Sequence, residues 1–173
     1  MSAQRATEWS AAPGSTETIA VGLGQLHVTR AGELVAYSLG SCVAICLYDP
    51  VLRVAGMAHV VLPSAPASDS GASPGKYADT AVPALLGALR AAGAMPLRLR
   101  CHLVGGAAVL ALAGGALPDI GARNVEAVRV ALERARIAIA GEATGGRQGR
   151  TVRLEAATGR VRVRAVLGPE VEL

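Results

Sequence analysis

Two uninterrupted apolar runs most constrain what this chain can fold into. They cover residues 43–48 (VAICLY) and 54–62 (VAGMAHVVL), with Asp49-Pro50 as a turn signal between them. Apolar residues are continuous in both runs instead of alternating with polar ones, which is typical of strands buried on both faces. The two runs therefore predict a hairpin at the centre of a layered domain.

The rest of the chain predicts further strands and two long helices around this hairpin. Residues 64–75, rich in Ser, Ala, Pro and Gly, predict a loop. The fold class is therefore α/β (α+β), a sheet covered by two helices. Residues 1–16 are polar and predict a flexible N-terminal arm, followed by a single domain over 17–173. The predicted strands are 19–21, 26–29, 34–38, 43–48, 54–62, 97–104, 137–140, 151–156 and 160–166, and the predicted helices are 76–92, 106 to about 112, and about 124–136.

Composition excludes several classes of protein. Hydrophobic residues make up 51% and charged residues 17%, which rules out a mainly disordered or coiled-coil chain. Aromatic residues are only 2% and the net charge is +4, so the basic and aromatic surface of a single-stranded nucleic-acid site is not expected. The longest charge-free stretch, 102–118, is short for a membrane span and interrupted by glycines. Neither nucleic-acid binding nor membrane insertion is predicted.

Three cysteines, Cys42, Cys46 and Cys101, are too few for a disulfide framework. The first residues, MSAQRATEWS, lack the apolar segment of a secretory signal. These features favour a reducing, cytoplasmic setting, in which a cysteine is either an inert core residue or a reactive thiol.

The predicted hairpin brings one cysteine close to a histidine. If residues 49–52 form a four-residue loop, Tyr48 faces Arg53 and Cys42 lies directly across from His59. Directly paired residues have Cβ atoms about 4.5–5.5 Å apart. We expect such an imidazolium to lower the pKa of the thiol and to supply a proton to a leaving group. Backbone amides around Ser41 could then receive an oxyanion, and the expected reaction is acyl transfer through a thioester.

Two other interpretations of these residues stay open. Cys42 could be a small core hydrophobe and His59 a hydrogen-bonded core histidine, as we expect of Cys46 and Cys101. A metal site using Cys42, Cys46, His59 or His102 is a further option, although C-x3-C without a second ligand pair is weak support for it.

Six stretches of this sequence, in order, resemble the chemoreceptor glutamine deamidase family, CheD. The resemblance extends from about Thr18 to Arg164, and several motifs in order are more specific than one Cys and one His. The stretches are LGSCVAICLYD (39–49), GMAHVVLP (56–63), KYADTAVP (76–83), VGGA (104–107), IGARNV (120–125) and GGRQGR (145–150).

The resemblance implies more than the spacing predicts. It implies hydrolysis of selected glutamine side-chain amides in chemotaxis receptors, with Cys42 as nucleophile and His59 as acid/base. The implied fold is a mixed β-sandwich with flanking helices, similar to deamidating toxins. Some members also bind a chemotaxis phosphatase of the CheC type. Because a Cys–His pair hydrolyses amides unaided, no metal or organic cofactor is expected.

The sequence departs from the family pattern at the position of a third catalytic member, a Thr shortly before the Cys. Residues 35–38 (VAYS) contain no Thr, and Ser38 is the hydroxyl nearest in sequence that could orient His59. A non-catalytic or weakly catalytic regulator of a phosphatase is therefore the rival function. Because receptor helices are a folded substrate, we expect an open groove with loop 64–75 as one wall, whereas a small-molecule amidase would have an enclosed pocket.

Overall fold

The computed structural model describes residues 17–69, 71–109 and 119–173. The arm predicted at residues 1–16 lies outside the described residues, as does the end of the helix predicted from 106 to about 112. Residues 106–108 of that prediction are not helical, because Gly105 and Gly106 continue instead into close contacts with the Cys42 segment.

Two five-stranded mixed sheets form the body of the protein. An outer sheet has the order β1 (Thr18–Ala20), β3 (Glu33–Leu39), β8 (Arg150–Glu155), β9 (Val161–Ala165) and β10 (Glu170–Glu172). A central sheet has the order β2 (Leu26–Thr29), β5 (Val54–Val60), β4 (Val43–Asp49), β6 (Arg100–Gly105) and β7 (Ile139–Thr144). The pairs β1–β3 and β6–β7 are parallel, and the other pairs are antiparallel.

The central sheet is covered on both faces, as its two apolar runs predicted. Helices α1 (Ala78–Ala91) and α2 (Ile120–Arg134) pack on one face, against side chains such as Ile45 and Leu47. The outer sheet packs on the other face, against side chains such as Cys46 and Met57. Burying each large apolar side chain contributes about 1.5–3 kcal/mol relative to leaving it exposed. The mixed β-sandwich with flanking helices is confirmed, with both helices on the same side.

Helix α2 begins four residues earlier than the sequence predicted. The carboxylate of Asp119 caps it, accepting a hydrogen bond from the Ala122 amide at 3.0 Å. Gly121, a poor helix former, is required here because a Cβ atom would lie 2.5 Å from the Gly106 carbonyl oxygen. Close backbone packing therefore outweighs helix propensity at this terminus.

The register of the β4–β5 hairpin differs from the predicted one. Asp49 pairs with Val54 and Ala44 pairs with His59, so the prediction that Cys42 lies directly across from His59 is wrong. Asp49 is the last residue of β4, and its side chain stabilises the turn that follows. Its Oδ1 accepts hydrogen bonds from the amides of Val51 and Leu52, at 2.9 and 3.2 Å. The loop is therefore residues 50–53.

This change moves the pairing by two residues, which keeps every side chain on its predicted face. Cys42 packs against the core between the two sheets, on the same face as Ala44. Because paired residues share a face, His59 lies on that face as well. Cys42 and His59 are thus diagonal neighbours, a relation that typically separates Cα atoms by about 7–8 Å.

Candidate active site

His59 is held by the segment that connects β1 to β2. Its Nδ1 lies 3.0 Å from the carbonyl oxygen of Val21. Its backbone amide donates to Gln25 O, and its backbone carbonyl accepts from the amide of Gly24, both at 2.9 Å. Three hydrogen bonds therefore fix the ring and its strand to the turn at residues 21–25.

The contact with Val21 also determines which ring nitrogen carries the proton. A carbonyl oxygen only accepts, so Nδ1 is the protonated nitrogen and Nε2 keeps its lone pair. The Nε2 atom is buried and has no hydrogen-bond partner within the described part of the chain. Burial lowers the pKa of His59 and outweighs the opposing effect of the Val21 hydrogen bond. The ring is therefore a neutral imidazole with a free basic nitrogen.

Cys42 lies immediately before β4 and is half-buried. The backbone around it is held on both sides. The Gly40 carbonyl accepts from the amide of Ala107 at 2.7 Å, and the Cys42 carbonyl accepts from the amide of Gly106 at 2.8 Å. The segment after β6 therefore holds the backbone on both sides of Ser41 and fixes the position of Cys42.

The close approach to Cys42 explains the glycine pair after β6. Gly105 has a φ of +117°, and a Cβ atom there would lie 2.2 Å from the Cys42 carbonyl oxygen. Gly106 has a φ of +65°, and its Cβ atom would lie 2.3 Å from the side chain of Val125. Both the backbone conformation and the space require glycine at these positions.

A further support for this segment is Asn124 on α2, which is fully buried. Its Nδ2 donates to the carbonyl oxygens of Ser41 and Val61, each at 2.9 Å. Sequence reasoning assigned Asn124 no function; the available signal was its place in the stretch 120–125 that carries the family resemblance. The contribution of the Val21 carbonyl had no sequence signal, because any residue supplies a carbonyl.

The structure places the two predicted serines differently. Ser38 is exposed at a bulge in β3 and has a φ of +52°, and the hydrogen bond to His59 Nδ1 comes from Val21 instead. The structure therefore does not bring Ser38 to the imidazole. Ser41 stands beside Cys42, whose own backbone amide lowers the pKa of the thiol.

Burial raises the pKa of the Cys42 thiol above its usual value, and the adjacent amide of Cys42 opposes this only in part. The expected lowering of this pKa by an imidazolium is therefore not found. The Cys42 thiol and the His59 imidazole are therefore both neutral before the reaction. The protonated thiol and the free lone pair of Nε2 lie on the same face of the central sheet. The arrangement fits general-base catalysis, in which the proton moves as the sulfur attacks.

This state predicts a specific pH dependence of Cys42 reactivity. We expect iodoacetamide to alkylate Cys42 with a midpoint above the usual cysteine pKa of 9.0, because the buried thiol must lose its proton to react. Mass spectrometry of the labelled chain over a pH series measures it. A midpoint near neutral pH, at about 7, would contradict the neutral pair and indicate a thiolate–imidazolium pair. Cys46 and Cys101, which are 1% and 0% exposed, serve as internal controls that stay unlabelled.

The other cysteines are core residues. Cys46 lies between the sheets and Cys101 lies under the helices, and burial raises the pKa of both thiols. Among residues 17–69, 71–109 and 119–173, no three or more His, Cys, Asp or Glu side chains are grouped to hold a metal ion.

Comparison with known proteins identifies the family. The family model described as CheD chemotactic sensory transduction matches residues 61–165. A "Probable chemoreceptor glutamine deamidase CheD" from Symbiobacterium thermophilum is 52% identical over 158 residues, covering 89% of this chain and 96% of that protein. The chain belongs to the CheD family.

A second CheD relative, the "Chemoreceptor glutamine deamidase CheD" of Thermotoga maritima, is 44% identical over 87% of this chain and 93% of its own length. The family-model match begins two residues after His59. The part of this chain that each alignment leaves uncovered is too short for that alignment to begin after Cys42. The structure of hypothetical protein YfiH from Bacillus licheniformis has a TM-score of 0.45 at 16% identity, covering 79% of this chain and 62% of that chain. Within the described residues, neither CheD helix is long and apolar enough to cross a bilayer.

Proposed function

We propose that this CheD chain hydrolyses glutamine side-chain amides of chemoreceptors, with Cys42 as the nucleophile and His59 as the general base and acid. The observation that carries the proposal is the imidazole geometry. Nδ1 of His59 is committed to the Val21 carbonyl, which leaves Nε2 as a buried, unpartnered base on the face that also carries Cys42.

The first half-reaction forms a thioester and releases ammonia. As the Cys42 sulfur attacks the amide carbon, Nε2 of His59 takes the thiol proton. The resulting oxyanion is stabilised by backbone amides around Ser41 and Cys42, and the Cys42 amide also favours the thiolate, because it lowers the pKa of the thiol. The imidazolium then donates its proton to the departing nitrogen, the C–N bond breaks, and ammonia leaves.

The second half-reaction restores the enzyme. His59 Nε2 takes a proton from a water molecule as its oxygen attacks the thioester carbon. The C–S bond then breaks, and the proton returns to the Cys42 sulfur. One amide and one water give one carboxyl group and one ammonia, so the cycle needs no metal, organic cofactor or redox partner.

We place this activity in a single domain over residues 17–173, in the reducing cytoplasm, where the Cys42 thiol stays available. We propose receptor helices as the substrate, presented to an open surface, and a CheC-type phosphatase as a further partner. We propose loop 64–75 as one wall of this surface, and the hydrogen bond that the Ser73 hydroxyl donates to the Gly24 carbonyl, within the turn that holds His59, supports it.

Mass spectrometry of receptor cytoplasmic fragments incubated with the full chain tests the activity. We expect conversion of specific glutamines to glutamates together with equal amounts of ammonia. Binding without conversion would instead support the rival function, a regulator without catalysis. A fragment in which the modified glutamines are replaced by glutamate is the control, and it should bind without releasing ammonia.

A further inference from the structure

Asn124 connects the two segments that carry the proposed catalytic pair. It is 0% exposed and lies in the first turns of α2. Its Nδ2 donates to Ser41 O, immediately before Cys42, and to Val61 O, two residues after His59. One amide group therefore spans from the nucleophile's segment to the end of the strand that bears the base.

The contact with Ser41 O controls the direction of the Cys42 amide. A trans peptide is planar, and its C=O and N–H point in opposite directions. Holding the Ser41 carbonyl against α2 therefore turns the Cys42 N–H away from α2. That N–H is the group that lowers the pKa of the Cys42 thiol, and in the proposed function it is an oxyanion donor. Its orientation depends on a side-chain hydrogen bond, whereas the neighbouring carbonyls of Gly40 and Cys42 are held by backbone amides.

Docking of the helix alone does not explain an asparagine at this place. Helix α2 is already anchored to the central sheet by the buried side chains of Val125, Val128 and Leu132. The Oδ1 of Asn124 is buried and has no hydrogen-bond partner in the described residues, which costs stability. A leucine, which has the same branched shape, leaves no polar atom unpaired there.

We infer that Asn124 is a positioning residue that sets the direction of the Cys42 amide and the placement of Cys42 relative to His59. The inference rests on the proposed function for its effect on turnover. Its effect on the reactivity of the Cys42 thiol is independent of any substrate.

The test compares Asn124→Leu and Asn124→Asp with Val128→Ala. Leucine keeps the branched shape, is larger, and removes both donors, while an aspartic acid keeps the size and, protonated in this buried position, donates to only one of the two carbonyl oxygens. Val128 is 0% exposed, one turn further along α2, so Val128→Ala loosens the same helix without touching either segment. All variants are compared at a temperature below the lowest unfolding midpoint among them. If one Asn124 variant does not fold, the other variant decides the test.

We expect the kcat for receptor glutamines to fall about 100-fold in both Asn124 variants, with KM nearly unchanged, since small misplacements near reacting atoms have effects of this size. We also expect iodoacetamide labelling of Cys42 to shift to higher pH, because the amide that favours the thiolate turns away. A shift of one pH unit slows labelling about tenfold below the midpoint. Val128→Ala should lower the unfolding midpoint and leave kcat and the labelling profile unchanged.

The inference is overturned if both folded Asn124 variants keep the wild-type labelling profile, or if Val128→Ala changes that profile as much as they do. These outcomes are distinct from a failure of the proposed function. If the proposed function fails, wild-type protein releases no ammonia from receptor fragments. The labelling profiles still decide in that situation whether Asn124 positions Cys42.

Discussion

Replacing Cys42 by alanine is expected to abolish ammonia release from receptor glutamines, by at least about 10⁴-fold, because no other group can form the thioester. Cys42 is half-buried immediately before β4, and residues 43–48 of that strand are paired on both sides. The fold should therefore be unaffected. Ammonia production and the mass of a receptor fragment measure the activity, and the unfolding midpoint measures the fold.

Cys46→Ala is the matched control for this substitution. Cys46 lies within β4 and on the same face as Cys42, but it is 1% exposed between the two sheets. Its loss should lower the free energy of unfolding by roughly 1 kcal/mol, as for other small buried deletions, and leave turnover intact. Turnover that survives Cys42→Ala, or that is lost with Cys46→Ala, would refute the assignment of the nucleophile.

Replacing Asp49 by alanine is expected to have the largest effect on stability, lowering the free energy of unfolding by about 3 kcal/mol. The Asp49 carboxylate is fully buried and satisfied from two directions. Oδ1 accepts from the hairpin loop, and Oδ2 accepts from the Met95 amide at 3.1 Å and from Arg98 Nη2 at 2.9 Å. Denaturant unfolding of the full chain measures the change.

The effect of Asp49→Ala should also depend on pH. Burial alone would raise the pKa of Asp49, but its hydrogen bonds to Met95, Leu52, Arg98 and Val51 together hold this pKa below its usual value. A carboxyl whose folded pKa is depressed stabilises the protein above its unfolded pKa and loses that contribution as the pH falls through the folded value. The difference between wild type and Asp49→Ala should thus be complete at neutral pH and shrink in acid, below about pH 4.

Asp79→Ala is the control for this second prediction. Asp79 also accepts a backbone hydrogen bond, from the amide of Ala65, but it is exposed. Its removal should change the free energy of unfolding by no more than about 0.5 kcal/mol. If Asp49→Ala is as mild as Asp79→Ala, the buried carboxylate does not hold the hairpin.

The elements that could be predicted are those with a strong local pattern. Strands β4 and β5 followed from continuous apolar runs, and α1 from a stripe that includes Val82, Leu85 and Leu89. Strand β10 was missed, because residues 170–172 (EVE) are short, exposed and paired only at one edge. Its formation depends on β9, which lies several residues away, and no local pattern reports that.

The sequence predicted that Cys42 and His59 lie close together, but it did not predict how they are held. Cys42 and His59 were predicted to lie on one face of the sheet from the family motifs and from the alternation of side chains along strands. That prediction holds, although the hairpin loop is residues 50–53 and not 49–52. The exact pairing depended on the Asp49 side chain, and the ring orientation depended on a carbonyl 38 residues earlier in the chain. Such long-range contacts have no signature in the order of residue types, so the sequence predicted Ser38 near the imidazole, whereas Val21 contacts it.

The acceptor for His59 Nδ1 belongs to the main chain, and this has a consequence for mutational tolerance. Every amino acid at position 21 provides the same carbonyl, so a substitution there does not change the tautomer of the imidazole. In a saturation library at Val21, apolar replacements that still fill the space between the sheets should all retain turnover. Variation that harms turnover should cluster instead at positions that bend the backbone, such as a proline introduced at Gly22.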